Sequence, residues 1–158
     1  MALAKQALAV AGSKLYVSAT LPATRNQTGF EAPVYTEVGN IIDLGQGFGR
    51  QYQTTNFESV SNPEIEKVRT NFDSGAPNIT YAVPRSGGDS GQDIIKAAVD
   101  SGNYISVKLL LSNGDALYGT AMINGMPLNL GTVGNIMQYQ SAFNFFNDGV
   151  DFVHVPAV

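Results

Sequence analysis

The residues that could perform chemistry are few, and the clearest is the serine in the run Gly88–Gly91, GDSG. Runs of this type surround the nucleophile of trypsin-like serine proteases, which also need a histidine as general base and an acid that orients it. The only histidine, His154, follows the serine, whereas those proteases place it far upstream, and the chain is too short for their two barrels. We therefore interpret the run as the start of a helix, with Asp89 or Ser90 as the capping residue.

Two further patterns could serve in cofactor binding or in acid–base chemistry. The run Gly45–Arg50, GQGFGR, is faintly like a dinucleotide fingerprint, but position 50 is arginine and no helix pattern follows, which favours a bulged β-corner. His154 could pair with Asp148 or Asp151, yet nothing nearby supplies a nucleophile. The chain has no cysteine, so thiolate metal sites and disulfides are excluded. We expect no enzyme activity, no catalytic residue, no cofactor and no metal site.

Composition limits the class of protein. The length of 158 residues is typical of one domain. Charged residues make up 14%, well below the usual quarter, so the surface must use neutral polar groups, as in subunits that contact copies of themselves. The net charge of −4 disfavours a nucleic-acid reader. No stretch approaches the roughly 20 apolar residues of a membrane span, and the N-terminal apolar run is too short for a signal peptide.

One segment, about residues 89–101, carries a helical pattern. The apolar residues Ile94, Ile95, Ala98 and Val99 share one face, and Gln92, Asp93, Lys96 and Asp100 share the other. Gly102 stands where a left-handed C-cap is expected. A helix of about a dozen residues is marginal alone, so it must pack on its neighbours, for which Asn78–Val83 and Tyr104–Leu111 supply apolar surface.

In the rest of the chain, apolar and polar residues alternate in short runs, as in β-strands. We predict strands at Ser13–Thr20, Val34–Leu44, Arg50–Thr55, Val68–Phe72, Asn78–Val83, Tyr104–Leu111, Ala116–Ile123 and Gly134–Phe146, with a loop at Leu21–Pro33 and an edge strand or outward-reaching tail at Asp151–Val158. Asn113-Gly114 predicts a two-residue type I′ turn. The predicted fold is mainly β, a sandwich or barrel of two antiparallel sheets with one flanking α-helix.

The segment Thr54–Lys67 shows no clear period, and we interpret it as a long loop. It carries Phe57, Val60 and Ile65 among the acidic residues Glu58, Glu64 and Glu66. One interpretation is a solvated connection. The other is a contact surface, mobile in the free subunit, whose apolar residues become buried when copies assemble.

The order of elements resembles the tail tube (major tail) protein family of long, non-contractile-tailed bacteriophages, the lambda-like group. The resemblance covers about residues 12–149 and is strongest in residues 104–149, YISVKLLLSNGDALYGTAMINGMPLNLGTVGNIMQYQSAFNFFNDG. It extends to GSKLYVSAT, to VGNIIDLGQ and to the acidic segment before NITYAVP.

The resemblance implies one tail-tube domain over residues 1–158, with residues 1–12 and 149–158 as arms to neighbours. It also implies stacked hexameric rings, an inter-ring contact through the Thr54–Lys67 segment, and passage of double-stranded DNA without specific binding. The implied partners are copies of the chain and the tape measure, tail terminator and tail tip proteins, in a virion tail assembled in the host cytoplasm. The alternatives are the tube protein of a contractile injection or secretion system and a monomeric β-barrel that binds a small ligand.

Overall fold

The computed structural model describes residues 7–146 and 153–156 and is mainly β. Its strands are β1 (Lys14–Ser18), β2 (Thr36–Glu37), β3 (Ile41–Asp43), β4 (Gln51–Ser59), β5 (Asn62–Asp73), β6 (Asn78–Ala82), β7 (Ile105–Leu110), β8 (Ala116–Ile123), β9 (Leu128–Asn129), β10 (Gln138–Phe146) and β11 (Val153–Val155). The helices are α1 (Gln27–Glu31) and α2 (Ser90–Ser101). The predicted class, antiparallel sheets with a flanking helix, is confirmed.

Strand β10 connects the two layers of the sandwich. Its first half, Gln138–Ala142, pairs with β6, and its second half, Phe143–Phe146, pairs with β8. The strand order is therefore β2-β1-β7-β8-β10-β6-β3, with every pairing antiparallel. Because β10 belongs to both layers, neither layer has a free edge at this strand, as two separate sheets would.

The core lies between these layers and follows the alternation seen in the sequence. Buried side chains come from both layers and from α2: Leu15, Val17, Ile79, Tyr81, Ile95, Ile105, Val107, Ala121, Ile123, Phe143 and Phe145. A smaller cluster joins Phe30 of α1 to Tyr118 of β8, with Val153 and Val155 of β11 packed against it. The C-terminal strand therefore covers the part of β8 that β10 leaves unpaired.

Helix α2 begins and ends as predicted. The Asp89 carboxylate accepts a hydrogen bond from the Gln92 backbone N–H at 3.0 Å, and Gly102 closes the helix with φ 72°. Two details differ from the prediction. Gln92, expected on the solvent face, is buried and donates from Nε2 to the carbonyls of Gly39 and Ala82. The helix packs chiefly on β1, β2 and β8 rather than on the strands that flank it in sequence.

The N-terminus of α2 lies unusually close to the segment that links β2 to β3. A Cβ on Gly91 would lie 2.5 Å from the Glu37 carbonyl oxygen and 2.8 Å from the Val38 Cα. The Asp89 carboxylate also accepts a hydrogen bond from the Gly39 N–H at 3.1 Å. Only a residue without a side chain permits this approach.

Several predicted boundaries are wrong. The segment Val34–Leu44 is two short strands, because Asn40 takes a positive φ of 60° and changes the direction of the chain. As a result, β2 pairs with β1 and β3 pairs with β6. The loop predicted at Leu21–Pro33 contains α1, whose N-cap Asn26 accepts from the Gly29 N–H at 2.8 Å. Strand β10 begins at Gln138, four residues later than expected from Gly134.

The turn between β7 and β8 is not type I′. The Leu111 N–H donates to the Asp115 carbonyl at 2.8 Å, and the Gly114 N–H donates to the Leu111 carbonyl at 3.0 Å. Gly114 has φ 96°, whereas Asn113 is not in the positive-φ region that both central residues of a type I′ turn require. The loop therefore has three residues and ends in a left-handed glycine, with Asn113 Oδ1 accepting from the Asp115 N–H.

The predicted arms fall partly outside the described residues, since 1–6, 147–152 and 157–158 are not described. The described part of the N-terminal arm contacts its own chain, where the Ser112 hydroxyl donates to the Ala9 carbonyl at 2.7 Å. The described part of the C-terminal arm is β11, which pairs with β8. The division into one domain and two arms stays a prediction.

We expect Gly91→Ala to lower the free energy of unfolding by about 2 kcal/mol, because the new methyl group meets backbone atoms that cannot rotate away. Alanine's better helix propensity would offset only about 0.5–1 kcal/mol of this cost. Urea unfolding is the measurement, and Gly134→Ala is the control, since its Cβ would meet nothing within 4 Å. Equal stability of the two variants would contradict the close approach.

The buried Tyr81 and the partly buried Tyr35 make stability sensitive to alkaline pH. Burial raises the pKa of Tyr81 and of Tyr35 from 10.0 to about 12. Because the folded-state pKa lies above the unfolded value, the neutral phenols stabilise the fold fully below pH 10, and this contribution is lost as the pH rises toward 12.

We expect Tyr81→Phe to cost about 1 kcal/mol near neutral pH, because the buried Ser141 hydroxyl loses its 2.8 Å partner. The variant should then lose less stability than the wild type between pH 8 and pH 11, since one raised pKa is gone. Urea unfolding at both pH values measures this difference. Parallel losses in the two proteins would show that Tyr81 does not contribute.

Candidate functional site

The candidate site is the β4–β5 hairpin, which replaces the predicted loop. Thr54–Lys67, expected to be a loop without regular structure, lies within two antiparallel strands joined by the two-residue turn Val60-Ser61. The strands pair only with each other and form a sheet separate from the body of the protein. The loop prediction is therefore wrong, although the segment remains the most exposed long feature of the described chain.

The sequence predicts only the base of these strands, at Arg50–Thr55 and Val68–Phe72, and two irregularities explain why their outer part was missed. The register shifts between Tyr52 and Thr54 and again between Phe57 and Ser59, and each shift breaks the two-residue alternation. Every residue of β5 is exposed, and β4 contains no buried residue. With neither face packed against a core, nothing selects an alternation of apolar and polar residues.

Aromatic rings and arginines hold the base of the hairpin. The Arg69 guanidinium lies 3.6 Å from the centroid of the Tyr52 ring, and Arg50 lies 4.2 Å from that of Phe72. The two rings are 5.5 Å apart, and Arg50 donates to the Tyr52 hydroxyl at 3.1 Å. These four residues were not predicted as site residues. No sequence pattern marks them, because the two arginines meet the rings only after the strands pair.

The six residues predicted to form the contact surface lie together at the tip. Phe57 stands directly opposite Glu66, so the two side chains share a face of the hairpin. Val60 is fully exposed in the turn, and Phe57 and Ile65 are 56% and 51% exposed. Glu58 and Glu64 lie on the exposed strands beside them. The tip thus presents apolar side chains surrounded by carboxylates, and its role as an inter-ring contact stays a prediction.

The residues considered for catalysis have other roles in the structure. Asp89 caps α2, as the helix interpretation predicts, and Ser90 is the exposed first residue of the helix. His154 Nε2 lies 3.3 Å from Asp115 Oδ2, while Asp148 and Asp151 lie outside the described residues. The Gly45–Arg50 run connects β3 to β4, with no helix after it.

Among residues 7–146 and 153–156, no group of three or more histidine and carboxylate side chains is placed to hold a metal ion. No helix in these ranges is long and apolar enough to cross a membrane.

Comparison with known proteins gives similarity at the level of structure. No protein-family model matches the chain, and no characterised protein matches it in sequence. The fold is similar to a chain of the anti-feeding prophage (AFP) baseplate, seen in a six-fold symmetrised cryo-EM structure, with a TM-score of 0.66 and 8% identity over 97% of both chains. It is also similar to the SPP1 tail tube, with a TM-score of 0.56 and 14% identity over 93% of this chain and 78% of that one. At identities this low, the structural similarity establishes the fold alone.

We expect the hairpin amides to exchange hydrogen faster than those of β7 and β8, because a two-stranded sheet without core contacts is only marginally stable. Arg69→Ala should raise the exchange rate of β4 and β5 amides by about two- to fivefold, which corresponds to one exposed cation–π contact. Lys67→Ala is the control, a cation on the same strand. Similar rates in both variants would show that the stacking does not hold the hairpin.

Proposed function

We propose that this protein is the structural subunit of a phage-type tail tube, which assembles as hexameric rings that stack into a conduit for double-stranded DNA. The observation that carries the proposal is the exposed β4–β5 hairpin with its apolar tip, on a fold shared with the SPP1 tail tube. The six-fold symmetry of the AFP baseplate structure supports a hexameric arrangement. The resemblance to the lambda-like tail tube family points the same way.

In the proposed assembly, the tip of the hairpin contacts the adjacent ring. Burying Phe57, Val60 and Ile65 would contribute at most about 1.5–3 kcal/mol each, from which the cost of ordering the hairpin is subtracted. Glu58, Glu64 and Glu66 keep the tip soluble before assembly. Because every subunit of a ring makes the same contact, a small gain per subunit makes stacking strongly cooperative.

The charge of the chain suits a conduit. A net charge of −4 gives the subunit little attraction for phosphates, so DNA would pass without the counterion release that holds it on a basic surface. In this proposal the protein performs no catalysis and binds no cofactor. Its further partners are the tape measure, tail terminator and tail tip proteins, and it resides in the virion tail after assembly in the host cytoplasm.

A second candidate function is a ring subunit of a baseplate-type assembly. The greater similarity to the AFP baseplate chain, over nearly the full length of both chains, favours it. The two candidates differ in whether the rings stack into a tube. The third alternative, a monomeric ligand binder, would form neither rings nor tubes.

Negative-stain microscopy of the purified wild-type protein tests the proposal, with tubes expected. The variant Phe57→Ser/Val60→Ser/Ile65→Ser should melt at the wild-type temperature, because its side chains are exposed, and should form rings that do not stack. Val34→Ser is the matched control, since Val34 is 86% exposed and lies outside the hairpin. Unimpaired tubes from the triple variant would contradict the hairpin contact. Single wild-type rings would favour the second candidate, and a strict monomer would contradict both.

A further inference from the structure

A second apolar surface lies far from the hairpin in sequence. Six large side chains, each about half exposed or more, form what we term the apolar patch: Ile42, Leu128, Leu130, Val133, Ile136 and Met137. Ile42, Leu130 and Ile136 line one shallow concavity of about 470 Å³, which shows that β3 and the β9–β10 connection share this surface. Ile136 is 69% exposed and Val133 is fully exposed.

Hydrogen bonds hold the segment that carries the patch. The Asn135 N–H donates to the Thr132 carbonyl at 2.9 Å, and the Val83 N–H donates to the Met137 carbonyl at 3.0 Å. The Gln140 N–H donates to the Pro127 carbonyl at 3.2 Å. The apolar side chains are thus presented on a defined backbone, so little conformational entropy remains to be lost when a partner covers them.

The segment that carries five of the six patch residues is also without charge. Residues 116–147 contain no aspartate, glutamate, lysine or arginine, in a chain where 14% of residues are charged. The polar groups at the edge of the patch are the amides of Asn129, Asn135 and Gln138, which both donate and accept hydrogen bonds. Monomers usually intersperse charges on such a surface to prevent association.

We propose that the apolar patch is the side-to-side interface between neighbouring copies of this chain within a ring. This inference rests on the proposed function, which supplies the ring, and adds a contact that the hairpin does not make. The six side chains present on the order of 500 Å², the upper end of what a monomer exposes. With the amide rim they approach the roughly 800 Å² per partner of a stable interface.

The chemistry of the patch selects the second copy over other occupants. The segment 128–137 has no charge with which to steer or select a charged foreign protein. It has no lysine, arginine or tryptophan with which to bind a lipid headgroup region. Ile42 lies on β3, the terminal strand of the main sheet, and such an edge is available for side-by-side contact in a ring.

The absence of cysteine allows a direct test in the full-length protein. Val133→Cys places a single, fully exposed thiol on the segment that carries the patch, and Val34→Cys places one at an exposed site outside it. Reaction with a soluble maleimide is followed in dilute protein and in assembled protein separated by sedimentation. We expect assembly to slow the reaction at position 133 by about tenfold or more relative to position 34.

A second variant separates this contact from stacking. Val133→Asn/Ile136→Asn should keep the wild-type melting temperature and remain a monomer by mass photometry, at concentrations where Val34→Asn forms rings. If assembled Val133→Cys and Val34→Cys proteins react with maleimide at equal rates, the inference is overturned, whereas the tube function stands. Rings formed by the double variant would also overturn it. Protection at position 133 in an assembly that never becomes a tube would support the inference and refute the tube function.

Discussion

The structure depends on one corner, where the N-terminus of α2 meets the segment between β2 and β3. A single carboxylate, that of Asp89, accepts hydrogen bonds from the Gln92 and Gly39 N–H groups. The Gln92 side chain then donates to the carbonyls of Gly39 and Ala82, which connects the helix to both ends of the folded sheet. These buried polar groups would be costly without partners, so the corner specifies one arrangement of helix and sheets.

The hydrogen bonds of this corner satisfy the polar groups that lie between the helix and the sheets. The surfaces proposed for association lie outside the core. The core is filled by side chains from both layers, joined through β10. Nine of the seventeen large apolar side chains that are exposed in the described chain lie on the hairpin tip and on the apolar patch. A body that is rigid before assembly loses little entropy when its surfaces are covered, so modest contacts suffice for association.

The two surfaces differ in the physics that governs them. The hairpin tip places Phe57 and Ile65 among glutamates, so charge repulsion would oppose the proposed association and salt would weaken that opposition. Five of the six patch residues lie in the charge-free run 116–147, so the proposed association there depends chiefly on apolar burial. In the proposed assembly, these two different dependences would let rings and stacks of rings form as separate steps.

The sequence alone determined the elements whose signals are local. The caps of α2 depend on Asp89 and Gly102, and the alternation of β7, β8 and β10 depends on burial of one face, so both were predictable. The tertiary structure decided what depends on partners distant in sequence. Gln92 turns inward because Gly39 and Ala82 need donors, and Asn40 splits a predicted strand because the chain must cross between sheets. The base of the hairpin was predicted as strands at Arg50–Thr55 and Val68–Phe72, but its outer part, Thr54–Lys67, was predicted as a loop and contact surface. Bulged strands with both faces in solvent carry no periodic pattern that a sequence could reveal.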